Sequence, residues 1–150
     1  MRTLTQRRTT IITGISGLVQ MSSSSAINLI GDVPQHPSGH WALPGTITAL
    51  TTLAAGLQTQ TGHDLPLNDV SLRFGGFFDL DTVNYWKLDT LIGHQSHRWG
   101  RSADIRTQSG LADALSPAQQ LVLGRLWISI AKRKPFRESN HLHLDWRRAP

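Results

Sequence analysis

Two short clusters of metal-binding residue types lie in the second half of the chain. The first cluster, residues 94–104, contains His97 and Asp104 with Gly100 between them. Glycine permits a tight turn at this point, which would bring the imidazole back against the carboxylate. Two histidines and one aspartate form a common zinc set, and its fourth position stays open for water in catalytic sites. The first cluster supplies two of these three ligands.

The second cluster, residues 138–143, reads Glu-Ser-Asn-His-Leu-His. The alternation of histidine with leucine has the period of a strand, so His141 and His143 should project from the same face of a sheet. Taken alone, such a pair more often consists of two exposed or hydrogen-bonded histidines. Glu138 is the only glutamate in the chain and is a candidate proton acceptor, although it could equally be a solvated charge that offsets Arg137.

The two clusters together resemble the LAS metallopeptidases. The resemblance is carried by Ser-His-x-x-Gly-x-x-Ala-Asp at 96–104 and by the late His-x-His at 141–143. This group includes D-alanyl-D-alanine carboxypeptidases and dipeptidases, penicillin-insensitive murein endopeptidase and the zinc domain of Hedgehog proteins. The runs at 68–72 and 75–79 look most like the murein endopeptidase branch, and the resemblance covers residues 63–146. It implies a LAS/Hedgehog-like zinc peptidase core.

The resemblance implies Zn²⁺ as the cofactor, with His97, Asp104 and His143 as its ligands. A second assignment stays open, with His141 as the last ligand and Glu138 as the base. Dipeptidase-like relatives place a glutamate three residues before the last ligand, and Glu138 stands three before His141 but five before His143. We prefer His143 as the ligand, because endopeptidase-like members use the second histidine of the pair.

The implied activity is zinc-dependent hydrolysis of peptide bonds in the cross-links or stem peptides of bacterial peptidoglycan. Zinc lowers the pKa of a bound water to about 7 and polarises the scissile carbonyl. His141 or Glu138 would then move the proton from the water to the leaving amine. Arg73 precedes a glycine pair and is a candidate for stabilising the oxyanion, with a plain surface arginine as the alternative.

Helices and strands must position these residues. The steps of three and four between apolar residues predict a helix that opens at Pro44 and stops near Gly62. Ser116 can cap a second helix, which Pro135 ends. The sequence thus predicts an α+β fold with two main helices.

The remaining elements are short strands. We expect them at 69–72 and 77–80, on either side of the glycine pair, and at 103–106 and 141–146. The predicted sheet is small and mostly antiparallel. Residues 1–43 form a strand-like or signal/linker region, and residues 44–150 form the catalytic domain.

The charge of the chain allows other functions. A formal net charge of +5 in 150 residues favours an anionic partner. Two alternatives are therefore a zinc-bearing binding module without turnover and a basic binder of nucleic acid or another anionic polymer. Nucleic acid is not the expected partner, because no helix-turn-helix, zinc-finger or aromatic-platform pattern occurs in the sequence. The absence of cysteine excludes disulfides, cysteine zinc ligands and a cysteine nucleophile.

The N-terminal segment bears on location. Arg7 and Arg8 precede a mildly apolar run at 9–21 and a small-residue stretch at 22–26, an order that loosely matches a secretory signal. This order predicts an extracytoplasmic protein. The alternative is a strand pair at 10–13 and 18–21, and no stretch is long and apolar enough to predict a transmembrane segment.

Overall fold

The computed structural model describes residues 17–32, 39–71 and 97–146. Its strands and helices, in chain order, are β1 Val19–Gln20, β2 Ile27–Leu29, β3 Trp41–Ala42, α1 Pro44–Thr61, β4 Leu65–Asp69, β5 Ser102–Arg106, α2 Pro117–Ala131, β6 Phe136–Arg137 and β7 His141–Asp145. A turn of 3₁₀ helix, His97–Trp99, precedes β5.

The main sheet has five strands in the order β2-β4-β5-β7-β6. β2 runs parallel to β4, and each of the other neighbouring pairs is antiparallel. β1 and β3 form a separate two-stranded antiparallel sheet. The predicted α+β class, with two helices and a mostly antiparallel main sheet, is confirmed within the described residues. The main sheet also includes Ile27–Leu29 from the N-terminal region.

Helix α1 begins and ends where the sequence predicts. Pro44 lies in its first turn, where the missing N–H of proline costs no hydrogen bond. Leu50, Leu53 and Leu57 recur along one face and are fully buried. Gly62 ends the helix with φ +73° and donates its N–H to the carbonyl of Gln58, a conformation that glycine adopts without strain.

Helix α2 starts with a complete capping box. The Ser116 side chain accepts from the backbone N–H of Gln119, and the Gln119 side chain accepts in return from the backbone of Ser116. Leu123 and Trp127 form its buried face. Lys132 caps the C-terminus of the helix, and its N–H bonds the carbonyl of Ile128.

The sheet has one apolar face and one polar face. The apolar face packs with the buried sides of both helices in the hydrophobic core, to which β4, β5 and β7 contribute Leu65, Leu67, Ala103, Ile105, Leu142 and Leu144. Because alternate residues of a strand point to opposite faces, Asp104 and His143 lie on the other side of the sheet. The helices therefore support the sheet from behind and leave this polar face for the candidate site.

The predicted strand at 69–72 is wrong in position. The strand is Leu65–Asp69, and Ser71 forms only an isolated bridge with His40. The strand tolerates Pro66 because Leu65 and Leu67 make the bonds to β2, and the pairing with β5 begins only at Leu67. The predicted strand at 77–80 lies outside the described residues.

The predicted pair of N-terminal strands is only partly visible. The strand expected at 18–21 is present as the two residues of β1, and the one at 10–13 lies outside the described residues. None of the helices in the described part of the chain has the length and apolar character needed to cross a membrane.

Candidate metal centre

Strands β5 and β7 place an aspartate and a histidine side by side. Asp104 and His143 are direct partners in the antiparallel register, so their side chains project together from the polar face. His143 Nδ1 lies 2.7 Å from Asp104 Oδ1. Both residues are held by strand pairing on rigid elements, with Asp104 buried and His143 half-buried.

His97 reaches the same point from the 3₁₀ turn that precedes β5. Gly100 follows this turn with φ +61°, and its N–H bonds the carbonyl of His97 at 2.9 Å. A β-carbon at this position would lie 3.1 Å from the backbone nitrogen of Leu43 and would also contact Leu18. The turn therefore needs glycine for its backbone conformation and for its close packing.

A backbone carbonyl sets the orientation of the buried His97 ring. His97 Nδ1 lies 2.7 Å from the carbonyl oxygen of Val70, so Nδ1 carries the proton and donates it. When the ring is neutral, as a metal ligand must be, the lone pair of Nε2 faces the other two side chains. Nε2 lies 3.3 Å from Asp104 Oδ1 and 3.3 Å from His143 Nδ1. A carbonyl bonded to the distal nitrogen is the usual support of a metal-binding histidine.

The three atoms fit one small cation. Tetrahedral zinc bonds of about 2.0–2.1 Å require ligand atoms about 3.3–3.4 Å apart. Two sides of the triangle formed by His97, Asp104 and His143 measure 3.3 Å, and the third is shortened to 2.7 Å by the contact between His143 and Asp104. These residues form one of two groups in the described chain that could hold a metal ion.

The ionised carboxylate of Asp104 also suits a cation, which would take the place of the proton on His97 Nε2. Burial alone would raise the pKa of Asp104, but the charge of His97 and the hydrogen bonds from both histidines outweigh it and hold that pKa far below its usual range. Burial alone would lower the pKa of His97, but the Asp104 carboxylate and the Val70 carbonyl raise it. Asp104 is therefore ionised, as a carboxylate ligand must be.

Glu138 and His141 adjoin this triangle. His141 Nε2 lies 3.4 Å from Asp104 Oδ2 and also 3.4 Å from Glu138 Oε2. His141 therefore faces Asp104 Oδ2, whereas His97 and His143 face Asp104 Oδ1. Glu138, His141 and His143 are the second group whose ligand atoms lie within 4.8 Å of one another.

A buried second aspartate stands on the neighbouring strand. The register of β4 against β5 shifts between Leu67 and Asp69, which places Asp69 opposite Asp104. Burial, reinforced by the negative charge of Asp104, raises the pKa of Asp69 to about 7. Asn68 donates to the Asp69 carboxylate and accepts from Arg106. Asp69 therefore lies beside the triangle without adding a full negative charge below pH 7.

An exposed aromatic ring borders the site on the other side. Phe136 on β6 is the register partner of His143, so the two side chains share the polar face. Phe136 is 65% exposed and is one of six large apolar side chains that lie on the surface of the described residues. It offers an apolar surface next to the candidate metal ligands.

The structure brings five of the six predicted site residues together: His97, Asp104, His143, His141 and Glu138. The sixth, Arg73, lies outside the described residues. Sequence reasoning missed Asp69 and Phe136 as parts of this site. The spacing of two between Phe136 and Glu138 is a usable signal for Phe136, whereas only the irregular register of β4 reveals Asp69.

No protein-family model matches this chain, and no curated protein matches it either.

Proposed function

We propose that the chain is a zinc-dependent hydrolase of peptide bonds with a LAS-type site, and that it acts on bacterial peptidoglycan. The observation that supports this most strongly is the triangle of His97 Nε2, Asp104 Oδ1 and His143 Nδ1, with Glu138 and His141 next to it. Three ligands with adjoining proton acceptors are the arrangement of a catalytic zinc site rather than a structural one.

His97, Asp104 and His143 would hold the metal. Zinc at this position supplies a bound water with a pKa of about 7 and polarises a substrate carbonyl. The protein contributes ligands that are already oriented. Val70 fixes the tautomer of His97, and strand pairing fixes the positions of Asp104 and His143.

Glu138 and His141 would move the proton. Both lie at the turn between β6 and β7, where the backbone N–H of Glu138 bonds the carbonyl of His141 at 3.0 Å. Glu138 Oε2 is the more accessible acceptor, because its side chain is 37% exposed and that of His141 only 14%. Glu138 would accept the proton from the attacking water and deliver it to the leaving amine, with the His141 ring 3.4 Å from its carboxylate.

The substrate class rests on the LAS resemblance and is consistent with two features of this chain. The net charge of +5 favours contact with an anionic wall polymer. Phe136 supplies an apolar surface beside the site for a substrate side chain or sugar face. Cleavage of wall peptides implies an extracytoplasmic location, in line with the order of basic and apolar residues at the N-terminus.

The first test measures the metal. The purified protein should retain one zinc per chain after dialysis against metal-free buffer, and His97→Ala should lose it because a single removed ligand leaves only two. His63→Ala is the matched control, since His63 lies on the loop before β4 and its ring contacts the Asp64 carbonyl rather than any candidate ligand. A folded wild-type protein that holds no zinc, or a His97→Ala variant that holds it normally, would contradict the proposal.

The second test measures hydrolysis. Digestion of purified peptidoglycan should release new amino and carboxyl ends, stop on chelation and resume when one equivalent of zinc is added. Glu138→Gln should keep its zinc and lose about 10²–10⁴-fold in rate. If wild type and Glu138→Gln both hold zinc and release equally few peptide ends, the chain is a zinc-bearing binding module instead.

A further inference from the structure

We infer that His40 is a positioning residue of the candidate metal centre, because it fixes the Val70 carbonyl that orients His97. His40 is not one of the candidate ligands, and only 4% of its surface is exposed. It acts through two backbone peptide groups. Its effect on zinc rests on the proposed function, but the contacts themselves involve no metal.

The His40 ring reaches two backbone carbonyls. Nε2 lies 3.0 Å from the carbonyl oxygen of Ile30 and 3.2 Å from that of Leu67. A carbonyl can only accept, so Nε2 carries a proton and shares it between the two oxygens. Nδ1 lies 3.4 Å from Oδ1 of Asp32, and this oxygen also accepts from the backbone N–H of Gly39 at 3.1 Å. The ring thereby ties residue 40 to β4 and to the residue that follows β2.

The backbone on both sides of His40 pairs with the residues that follow β4. The Gly39 carbonyl accepts from the N–H of Val70 at 2.8 Å and from that of Ser71 at 3.0 Å. Trp41 donates its N–H to the carbonyl of Ser71 at 3.0 Å, and His40 forms the isolated bridge with Ser71. The position of His40 therefore determines where the Gly39 carbonyl stands.

The peptide group between Val70 and Ser71 connects this strap to the metal centre. Its N–H belongs to Ser71 and its C=O belongs to Val70. In a planar trans peptide group these two bonds point in opposite directions. The Gly39 carbonyl holds the N–H on one side, which aims the Val70 carbonyl to the other side, where His97 Nδ1 donates to it at 2.7 Å. This donation requires a proton on Nδ1 in every charge state of the ring, because a carbonyl only accepts.

The direction of the Val70 carbonyl matters for zinc because it sets the plane of the His97 ring. Rotation of that peptide group would turn the imidazole and move Nε2 away from its place 3.3 Å from Asp104 Oδ1. Loss of a group that bonds a metal-binding histidine typically lowers metal affinity by about 10–100-fold. Since His40 acts through intervening peptide groups, we expect the lower end of this range, about tenfold.

The first experiment measures zinc affinity by competition with a chelator, and circular dichroism checks the fold of each variant. Glutamine at position 40 can place an amide nitrogen near the position of Nε2, with two hydrogens for the two carbonyls, whereas asparagine is too short and leucine has no donor. His40→Gln should bind zinc within about twofold of wild type, and His40→Asn and His40→Leu about tenfold more weakly. Two variants without the donor are used so that one poorly folded protein leaves the test intact.

Leu57→Ala is the control for a loss of stability alone. Leu57 is a fully buried residue of α1, behind the sheet, and its truncation should destabilise the protein without changing zinc affinity.

The second experiment needs no metal. In the zinc-free protein labelled with ¹⁵N-histidine, the Nδ1 proton of His97 should resonate far downfield, because its hydrogen bond is short and the ring is fully buried. This resonance should move upfield in His40→Asn and His40→Leu, and should stay in place in His40→Gln and Leu57→Ala.

Three results would overturn the inference. One is wild-type zinc affinity and an unchanged His97 resonance in both variants without the donor. Another is a His40→Gln variant as impaired as His40→Asn, and the third is an equal loss of affinity in Leu57→Ala. If even the wild-type chain binds no zinc while the His97 resonance follows the expected pattern, the positioning role of His40 stands and the proposed function is refuted.

Discussion

The buried Asp69 makes the stability of the metal-free protein depend on pH in an unusual direction. Its pKa is raised from 3.8 to about 7, mainly by burial and next by the negative charge of Asp104. Between these two values the unfolded chain releases a proton that the folded chain keeps. The free energy of unfolding therefore falls as the pH rises, by about 1.4 kcal/mol per pH unit.

The magnitude follows from the size of the shift. From pH 3.8 to about 7 the loss attributable to Asp69 amounts to about 4 kcal/mol as an upper bound. Asp69→Asn removes the titrating group with almost no change in shape, and its amide oxygen can still accept from Asn68. The difference in unfolding free energy between wild type and Asp69→Asn should shift steadily in favour of the variant as the pH rises.

Two neighbouring groups define the pH range of the measurement. The lowered pKa of Asp104 stabilises the folded protein at pH values above 3.8, the ordinary pKa of the group, and this stabilisation is lost in strong acid. The raised pKa of His97 stabilises the folded protein at pH values below 6.5, the ordinary pKa of the group, and this stabilisation is lost at higher pH. The range from pH 4.5 to 6.5 therefore isolates Asp69.

The assay is urea unfolding in the presence of a chelator at pH 4.5, 5.5 and 6.5, for wild type and Asp69→Asn. Any packing difference between the two side chains adds a constant offset, so the change with pH is the quantity that matters. If the two unfolding free energies run parallel across this range, Asp69 is ionised in the folded protein and the reasoning about its burial fails.

Two further predictions concern the turn before β5 and the helical layer. Gly100→Ala should destabilise the protein by about 1–2 kcal/mol and weaken zinc binding by about 10–100-fold, because the strained turn displaces His97. Gly62→Ala is the control, because Gly62 has a similar positive φ with open space around it, and it should lower stability without changing zinc affinity. Equal zinc affinities of Gly100→Ala and Gly62→Ala in a competition assay would contradict the prediction. Leu123→Ala should cost about 2–5 kcal/mol in urea unfolding and leave zinc content unchanged, since Leu123 packs behind the sheet; a well-folded variant without zinc would contradict this separation of the two faces.

The sequence predicts the helices well, because their ends carry strong local signals. Pro44 and Gly62 delimit α1, and the capping box at Ser116 starts α2. These signals involve residues within one turn of each other, so no knowledge of the tertiary fold is needed.

The strands are harder to place, because their position depends on partners far away in sequence. The sequence predicts β4 at 69–72, yet Leu65 and Leu67 are the residues that pair and enter the core. The meeting of His97, Asp104 and His143 could be predicted from spacing together with resemblance. The bulge that places Asp69 opposite Asp104 could not, since a shift in register arises only from the pairing itself.

Both faces of strand β7 are needed, one for the core and one for the candidate site, and this limits which insertions and deletions the gene can tolerate. Its leucines fill the core while its histidines face the site, so each side chain belongs to one surface or the other. Insertion or deletion of a single codon within the strand would exchange the two sets at once, burying imidazoles and exposing leucines. Length variation among descendants of this protein should therefore concentrate in the turn at 138–140 or after the strand, and spare the strand itself.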